Sequence, residues 1–270
     1  MSESPEFAVT RVRHALKLRE LCVLRVEAVT PSLRRVILGG EDLADFESAS
    51  FDDHIKVFFP LPGQDRPPLP TLGANGLVYA ADTPRPTVRD FTPRAFDRAA
   101  RELAIEFALH EAGPATDWAR HAQPGQFLGV AGPRGSRVIP TVFDWHLLIG
   151  DDTALPAIAR RLQELPAAVQ AIAVIEVADA QARIELTSAA SLRTLWCERA
   201  ASATASPLLQ AVRDLALPAG EGYAWAAGES DAIRAVRQHL LAERGLTRSR
   251  VHAAGYWRRG AADIHDHFDD

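Results

Sequence analysis

Several short stretches carry side chains suited to chemistry on a phosphate, a nucleotide or an anion. Arg89-Asp90-Phe91-Thr92 offers a guanidinium fork that matches phosphate bidentately, followed by an aromatic face and a hydroxyl. Taken by itself, the same tetrapeptide reads first as a surface cation beside a core aromatic, and only the company of the later motifs reverses that. Gly113-Pro114-Ala115-Thr116 has the form of a helix start, whose first N–H groups and Thr116 hydroxyl can bind pyrophosphate, with Trp118 and Ala119 close behind. Gly150-Asp151-Asp152-Thr153 follows an apolar run and precedes a helical one, where an open parallel sheet binds its ligands. It is not a GxGxxG loop. Asp151 and Asp152 are expected to cap the helix and take up its positive end, which weakens the hold on a dinucleotide. Ala226-Ala227-Gly228-Glu229 follows a later strand, and a strand-to-helix turn with Gly228 for backbone freedom and Glu229 or Ser230 as cap accounts for the same letters.

Cations are the other candidates. Lys56 interrupts the apolar run Ile55 to Phe59 and must point to solvent or to a cleft, and Arg134, Arg137, Arg258 and Arg259 are open to the plain reading of solvated surface charge. Glu176 and Asp179 could chelate a ribose diol, whereas Arg183 and Arg199 could neutralise a 2′-phosphate, so the sequence leaves NADH and NADPH both open. His265 and His267, among four aspartates in the tail, have no spacing that fixes a coordination geometry, and no metal site is expected.

The elements that position these residues change character along the chain. From Leu18 to about Val138, short β-branched or alternating runs are punctuated by Pro and Gly, as in a barrel of antiparallel strands. Strands are expected at Leu21–Val29, Leu33–Leu38, His54–Phe59, Leu103–Leu109 and Phe127–Val130. Leu103, Ile105, Phe107 and Leu109 show period-2 alternation over a full strand. After Val142 strand and helix alternate, which implies a parallel sheet covered on both faces. Strands are expected at Trp145–Ile149, Ala171–Val177, Ile184–Leu186, Thr194–Cys197, Gly222–Ala227 and Val251–Tyr256. Helices are expected at Ala154–Leu165, Pro207–Leu215 and Asp231–Arg244, and the tail from Asp263 is expected to be coil. Two domains follow, at 17–141 and 142–263.

Bulk properties exclude several classes. A formal net charge of −5 argues against a protein that coats nucleic acid, so any anionic ligand must meet a local basic patch. Cys22 and Cys197 form neither a zinc motif nor a disulfide framework. The N-terminus has no signal-peptide pattern and no apolar stretch approaches a membrane span, so a cytoplasmic protein is expected, and a monomer.

An antiparallel barrel followed by a parallel α/β domain is the order of the ferredoxin reductase superfamily, and Arg89-Asp90-Phe91-Thr92 resembles its Arg-x-Tyr-Thr/Ser flavin motif. FALHEAGPATDWA (residues 107–119), GDDTALPAI (150–158), AAGESD (226–231) and GYWRRG (255–260) resemble the siderophore-interacting protein family, the FAD-dependent ferric-siderophore reductases. These motifs run in the family's order over nearly the whole chain. The resemblance implies an FAD site made by Arg89, Phe91, Thr92, His110, Gly113, Ala115, Thr116, Trp118 and Ala119. Phe91 stands where tyrosine is usual, so stacking is kept and a phenolic hydrogen bond is lost. It implies a nicotinamide site at Gly150, Asp151, Asp152, Thr153, Ala227, Gly228 and Glu229, with NADPH or NADH as donor. It further implies a basic pocket of Lys56, Arg134 with Arg137 as its alternative, and one of Arg258 or Arg259, for an anionic ferric siderophore such as a catecholate.

The activity so implied is reduction of siderophore-bound Fe(III), with flavin converting a two-electron donor to a one-electron acceptor. Reduced ferredoxin is an alternative donor. Two rivals stand beside it: an NAD(P)H-dependent flavin or quinone-type reductase, which a neutral pocket would favour, and a siderophore carrier without hydride transfer, which the Asp151-Asp152 pair makes conceivable. Trp257 could stack on a catecholate ring or pack against the barrel.

Overall fold

The computed structural model describes residues 4–73, 76–109, 113–199, 206–260 and 266–268. Contacts divide the chain into two compact units, one of Val9–Ile139 and one of Met1–Ala8 with Pro140–Asp270.

The first unit is built of β1 (Thr10–Arg13), β2 (Leu18–Thr30), β3 (Leu33–Gly39), β4 (Ile55–Phe58), β5 (Thr71–Gly73), β6 (Gly76–Val78), β7 (Val88–Phe91), β8 (Pro93–Asp97), β9 (Glu102–Ala108), α1 (Pro114–His121), β10 (Phe127–Ala131) and β11 (Gly135–Val138). Seven strands form one antiparallel sheet in the order β7-β4-β10-β2-β3-β9-β8. Its two edge strands, β7 and β8, are separated in sequence by the single residue Thr92. The sheet must therefore curl until its edges meet, and the closure of this barrel is covalent rather than a hydrogen-bonded ladder. Leu103, Ile105 and Phe107 face the core with Leu21, Val36, Leu38, Ile55, Val57 and Val130, as period-2 alternation requires. On the opposite face Glu106 is buried too, its carboxylate 2.5 Å from Arg35 of the facing register position and 3.7 Å from Arg94. The two short pairs β1·β11 and β5·β6 stand apart from the main sheet.

The second unit contains β12 (Trp145–Gly150), α2 (Leu155–Glu164), β13 (Gln170–Val177), β14 (Ser191–Glu198), α3 (Leu208–Arg213), β15 (Gly222–Glu229), α4 (Ser230–Ala242), β16 (Val251–Trp257) and β17 (Asp266–His267). Strands β14-β13-β12-β15-β16 are parallel, and β17 adds antiparallel to β16. The alternation expected after Val142 is thus observed, with most boundaries shifted by one to three residues. Two expectations fail. Ile184–Leu186 is not a strand, because β14 already fills the sheet position beside β13. The tail is not all coil, because Asp266 and His267 pair with Gly255 and Ala254. The N-terminal segment belongs to this unit through Phe7, which stacks on Phe143 at 5.1 Å, with the Arg250 guanidinium 4.5 Å from the Phe7 ring.

One close approach at the start of β15 is testable. A Cβ on Gly222 would lie 1.9 Å from the Trp145 ring of the neighbouring strand. Gly222→Ala is expected to cost about 1–3 kcal/mol through overpacking of the sheet, read as a lowered urea midpoint with unchanged slope. An unchanged midpoint would mean that Trp145 has room to move.

Candidate functional site

In the barrel unit, β4 and β7 lie side by side in register, with Lys56 opposite Asp90 and Val57 opposite Arg89. Lys56 does point to solvent, with its side chain 52% exposed, but it is paired there: Nζ donates to Asp90 Oδ1 at 3.0 Å. Sequence reading missed this partner because the pairing depends on the register of two strands more than thirty residues apart. Arg89 is half-buried and its Nη1 donates to the Val88 carbonyl at 2.8 Å. Beside it the Phe91 ring lies 4.4 Å from Phe107 and 6.1 Å from Phe59. Trp118 joins the same cluster, 5.6 Å from Phe59 and 5.7 Å from Phe107. Thr92, Thr116 and Ala119 are buried, and Gly113 and Ala115 half-buried.

The structure therefore brings Phe91 and Trp118 together through shared aromatic contacts, with Arg89 on the same face of β7 as Phe91, whereas Lys56, in register with Asp90, lies on the other face of the sheet. His110 lies outside the described residues. Helix α1 begins as expected after Gly113, whose φ of +149° favours glycine and whose Cβ position faces open space. No side chain among the described residues caps α1, and the first N–H groups of a helix suit anionic oxygens.

These residues fit the flavin nucleotide implied by the sequence resemblance. The Trp118 indole Nε1 is buried and has no hydrogen-bond partner among the described residues. A buried donor of this kind calls for an acceptor, and flavin and phosphate oxygens are acceptors.

In the α/β unit, β12 and β15 run parallel with Gly150 beside Ala227. A Cβ on Gly150 would lie 2.5 Å from Ala154 Cβ and 2.6 Å from the Ala227 carbonyl, so glycine lets the turn pack against the neighbouring strand. The expected capping role of Asp151 and Asp152 is corrected here. Helix α2 starts at Leu155, with Ala154 and neither aspartate at its cap position and no side-chain cap among the described residues. The Asp151 carboxylate instead turns back on the sheet end. Its Oδ1 accepts the Thr153 N–H at 2.9 Å, and its Oδ2 accepts the Glu229 N–H at 2.9 Å and Trp257 Nε1 at 2.8 Å. Glu229 does cap α4, its Oε2 accepting from Asp231 and Ala232 N–H at 2.9 Å each. The Trp257 contact was not legible in the sequence.

Of the residues that left NADH and NADPH open, Glu176 and Arg199 are engaged with each other, and Asp179 and Arg183 with other partners. Glu176, buried near the end of β13, takes Arg199 Nε on one oxygen and Ser206 Oγ on the other. Asp179 accepts from Gln181 and Ala182 N–H, and Arg183 pairs with Glu198 at 2.6 Å. Among the remaining cations Arg134 and Arg259 are exposed and Arg258 half-buried. No helix of the described residues is long and apolar enough to cross a membrane.

Comparison with known proteins places this geometry. Residues 22–137 match the model of the siderophore-interacting FAD-binding domain, and residues 143–260 that of the siderophore-interacting protein. The NADPH-dependent ferric-chelate reductase of Escherichia coli strain K12 is 38% identical over 95% of this chain and 99% of its own. The ferric vibriobactin reductase ViuB of Vibrio cholerae is 32% identical over 90% of each chain. Among solved structures, a siderophore utilization protein from T. fusca superposes with a TM-score of 0.88 at 42% identity, covering 96% of this chain and 99% of that one. The fold is ferredoxin-reductase-like.

Proposed function

The chain belongs to the siderophore-interacting protein family, and on that footing we propose that it is an FAD-dependent ferric-siderophore reductase of the cytoplasm, drawing electrons from NADPH. The observation that carries this reading is the extent of the likeness to the NADPH-dependent ferric-chelate reductase, 95% of this chain and 99% of that one, so that both units have counterparts.

In this reading Arg89 holds phosphate, Phe91 and Thr92 contact the ring system, and Trp118 Nε1 donates to the nucleotide beside Thr116, Ala115, Ala119 and the open start of α1 at Gly113. Bound FAD would supply a centre that takes electrons in pairs and passes them singly to iron. The strand ends at Gly150 and Ala227 to Gly228, with Asp152 and Thr153, receive the nicotinamide nucleotide. The likeness to the NADPH-dependent ferric-chelate reductase supports NADPH as the donor; Glu176, bonded to Arg199 and Ser206, is not free to chelate a ribose diol. Arg258 and Arg259, at the end of β16, give an acidic protein local positive charge for an anionic ferric complex; on the barrel unit Arg134 is an exposed cation of its own, and Lys56 is already paired with Asp90.

Anaerobic visible spectroscopy of the FAD-loaded protein tests the proposal. NADPH is expected to bleach the flavin band, and a ferric siderophore with a ferrous-iron trap to restore it with stoichiometric trapped Fe(II). Bleaching by reduced ferredoxin alone would replace the donor, and failure of the siderophore to reoxidise the flavin would refute the proposed substrate.

A further inference from the structure

The last parallel strand of the α/β unit falls out of step with its neighbour at its end. Gly228 pairs with Gly255 but Glu229 pairs with Trp257, so Tyr256 is an extra residue in β16. A bulge re-aims the side chains around it. Here the Trp257 indole comes to Asp151, Nε1 donating to Oδ2 at 2.8 Å. The same oxygen takes the Glu229 N–H, and Glu229 Oε1 in turn takes the Arg259 N–H at 3.4 Å. Gly228 completes the arrangement: its φ is +145°, and a Cβ there would lie 2.6 Å from Asp151 Oδ2. Asp151 is 1% exposed, and a carboxylate so buried is tolerated only with its donors in place.

Beyond this anchor come Arg258 and Arg259, adjacent like charges at the end of a strand. An anion is held more tightly by a cationic segment whose backbone is fixed in advance, since ordering that backbone on binding would weaken the hold. We infer that Asp151, with Glu229 behind it, is a positioning residue for the ferric-siderophore reaction: it fixes the Trp257–Arg259 segment so that the arginine pair is held ready for the anionic iron complex. It acts through Trp257 and the Glu229 backbone and does not itself bind the nicotinamide nucleotide. This rests on the reading of Arg258 and Arg259 as siderophore contacts.

The test uses full-length, FAD-loaded, oxidised protein and the iron(III) complex of a synthetic hexadentate tris-catecholate as probe, with binding measured by calorimetry. Asp151→Asn and Trp257→Phe are each expected to weaken probe binding about tenfold, the scale of one lost charge-assisted hydrogen bond. The double variant is expected to be no weaker than Asp151→Asn alone, because Trp257→Phe removes a contact that Asp151→Asn already weakens. The NADPH concentration that half-saturates flavin reduction, measured by stopped flow, is expected to move far less than probe binding does. A shift for NADPH as large as that for the probe would overturn the inference, as would additive effects of the two substitutions. Arg258→Ala with Arg259→Ala separates the two levels. Unchanged probe binding in that protein would overturn the underlying ligand assignment and the inference with it, whereas weakened binding there with unchanged binding in D151N would overturn the inference alone.

Discussion

Arg89→Ala protein is expected to be purified nearly colourless, with its affinity for FAD reduced by about 10²-fold. Charge-assisted hydrogen bonds to phosphate contribute about 1.5–3 kcal/mol each, and a guanidinium fork makes two in one plane. Arg89 sits on β7, an edge strand of the barrel sheet, with one fork nitrogen steadied by the Val88 carbonyl. It is not among the side chains of the barrel core, so its removal is not expected to unfold the unit. Arg89→Lys should fall between, since it keeps the charge and loses the fork. The ratio of flavin to protein absorbance after purification, and titration of apoprotein with FAD, measure the effect. A fully yellow R89A protein with unaltered affinity would show that the phosphate is held elsewhere, and the start of α1 at Gly113 would then be the site to examine.

The second large effect concerns stability in acid. His146 lies in β12, edge-on to Phe143 at 5.5 Å, with Nε2 buried and without a partner among the described residues. Burial, reinforced by the nearby Arg161 guanidinium, pushes its pKa from 6.5 down to about 3. The folded-state pKa is thus below the unfolded one. The unfolded chain takes up the proton first as pH falls, so the neutral histidine's contribution is complete above about pH 6.5 and is lost progressively towards pH 3. The slope is about 1.4 kcal/mol per pH unit. His146→Phe keeps an apolar ring among Phe143 and Tyr223 and removes the titration. Between about pH 6.5 and 4.5, wild type is expected to lose roughly 2–3 kcal/mol more than H146F in urea unfolding. Carboxylates held below their usual range by arginine or histidine partners, such as Asp45, Glu102 and Glu243, titrate in both proteins and cancel in the comparison. Parallel stability curves for the two proteins would refute the assignment.

The regular elements were legible because their periodicity is local. Leu103 to Phe107 alternates as a strand must, and the apolar run from Trp145 is long enough for a buried parallel strand and too short for a helix. Ile184–Leu186 misled because alternation records only that one face is apolar, and β14 had already taken the sheet position. The FAD-site residues could be named because they sit in contiguous motifs. The partners Asp90 for Lys56 and Asp151 for Trp257 could not, since each depends on where a distant segment of chain arrives. In the second case a one-residue bulge decides the outcome, and Tyr256 looks no different in sequence from an ordinary strand residue. Capping by Asp151 failed for a related reason: one of its oxygens is taken by the Glu229 N–H and Trp257 Nε1, from strands distant in sequence.

The short pairing of Asp266–His267 with Ala254 and Gly255 bears on how the molecule behaves in company. A parallel sheet whose outer strand is left bare presents a row of unpaired amides to any passing chain, and such edges seed strand exchange and aggregation. By occupying the outer rim of β16 beside the alanine-glycine stretch, where no bulky side chain would deter an intruder, these two polar residues act as a stopper.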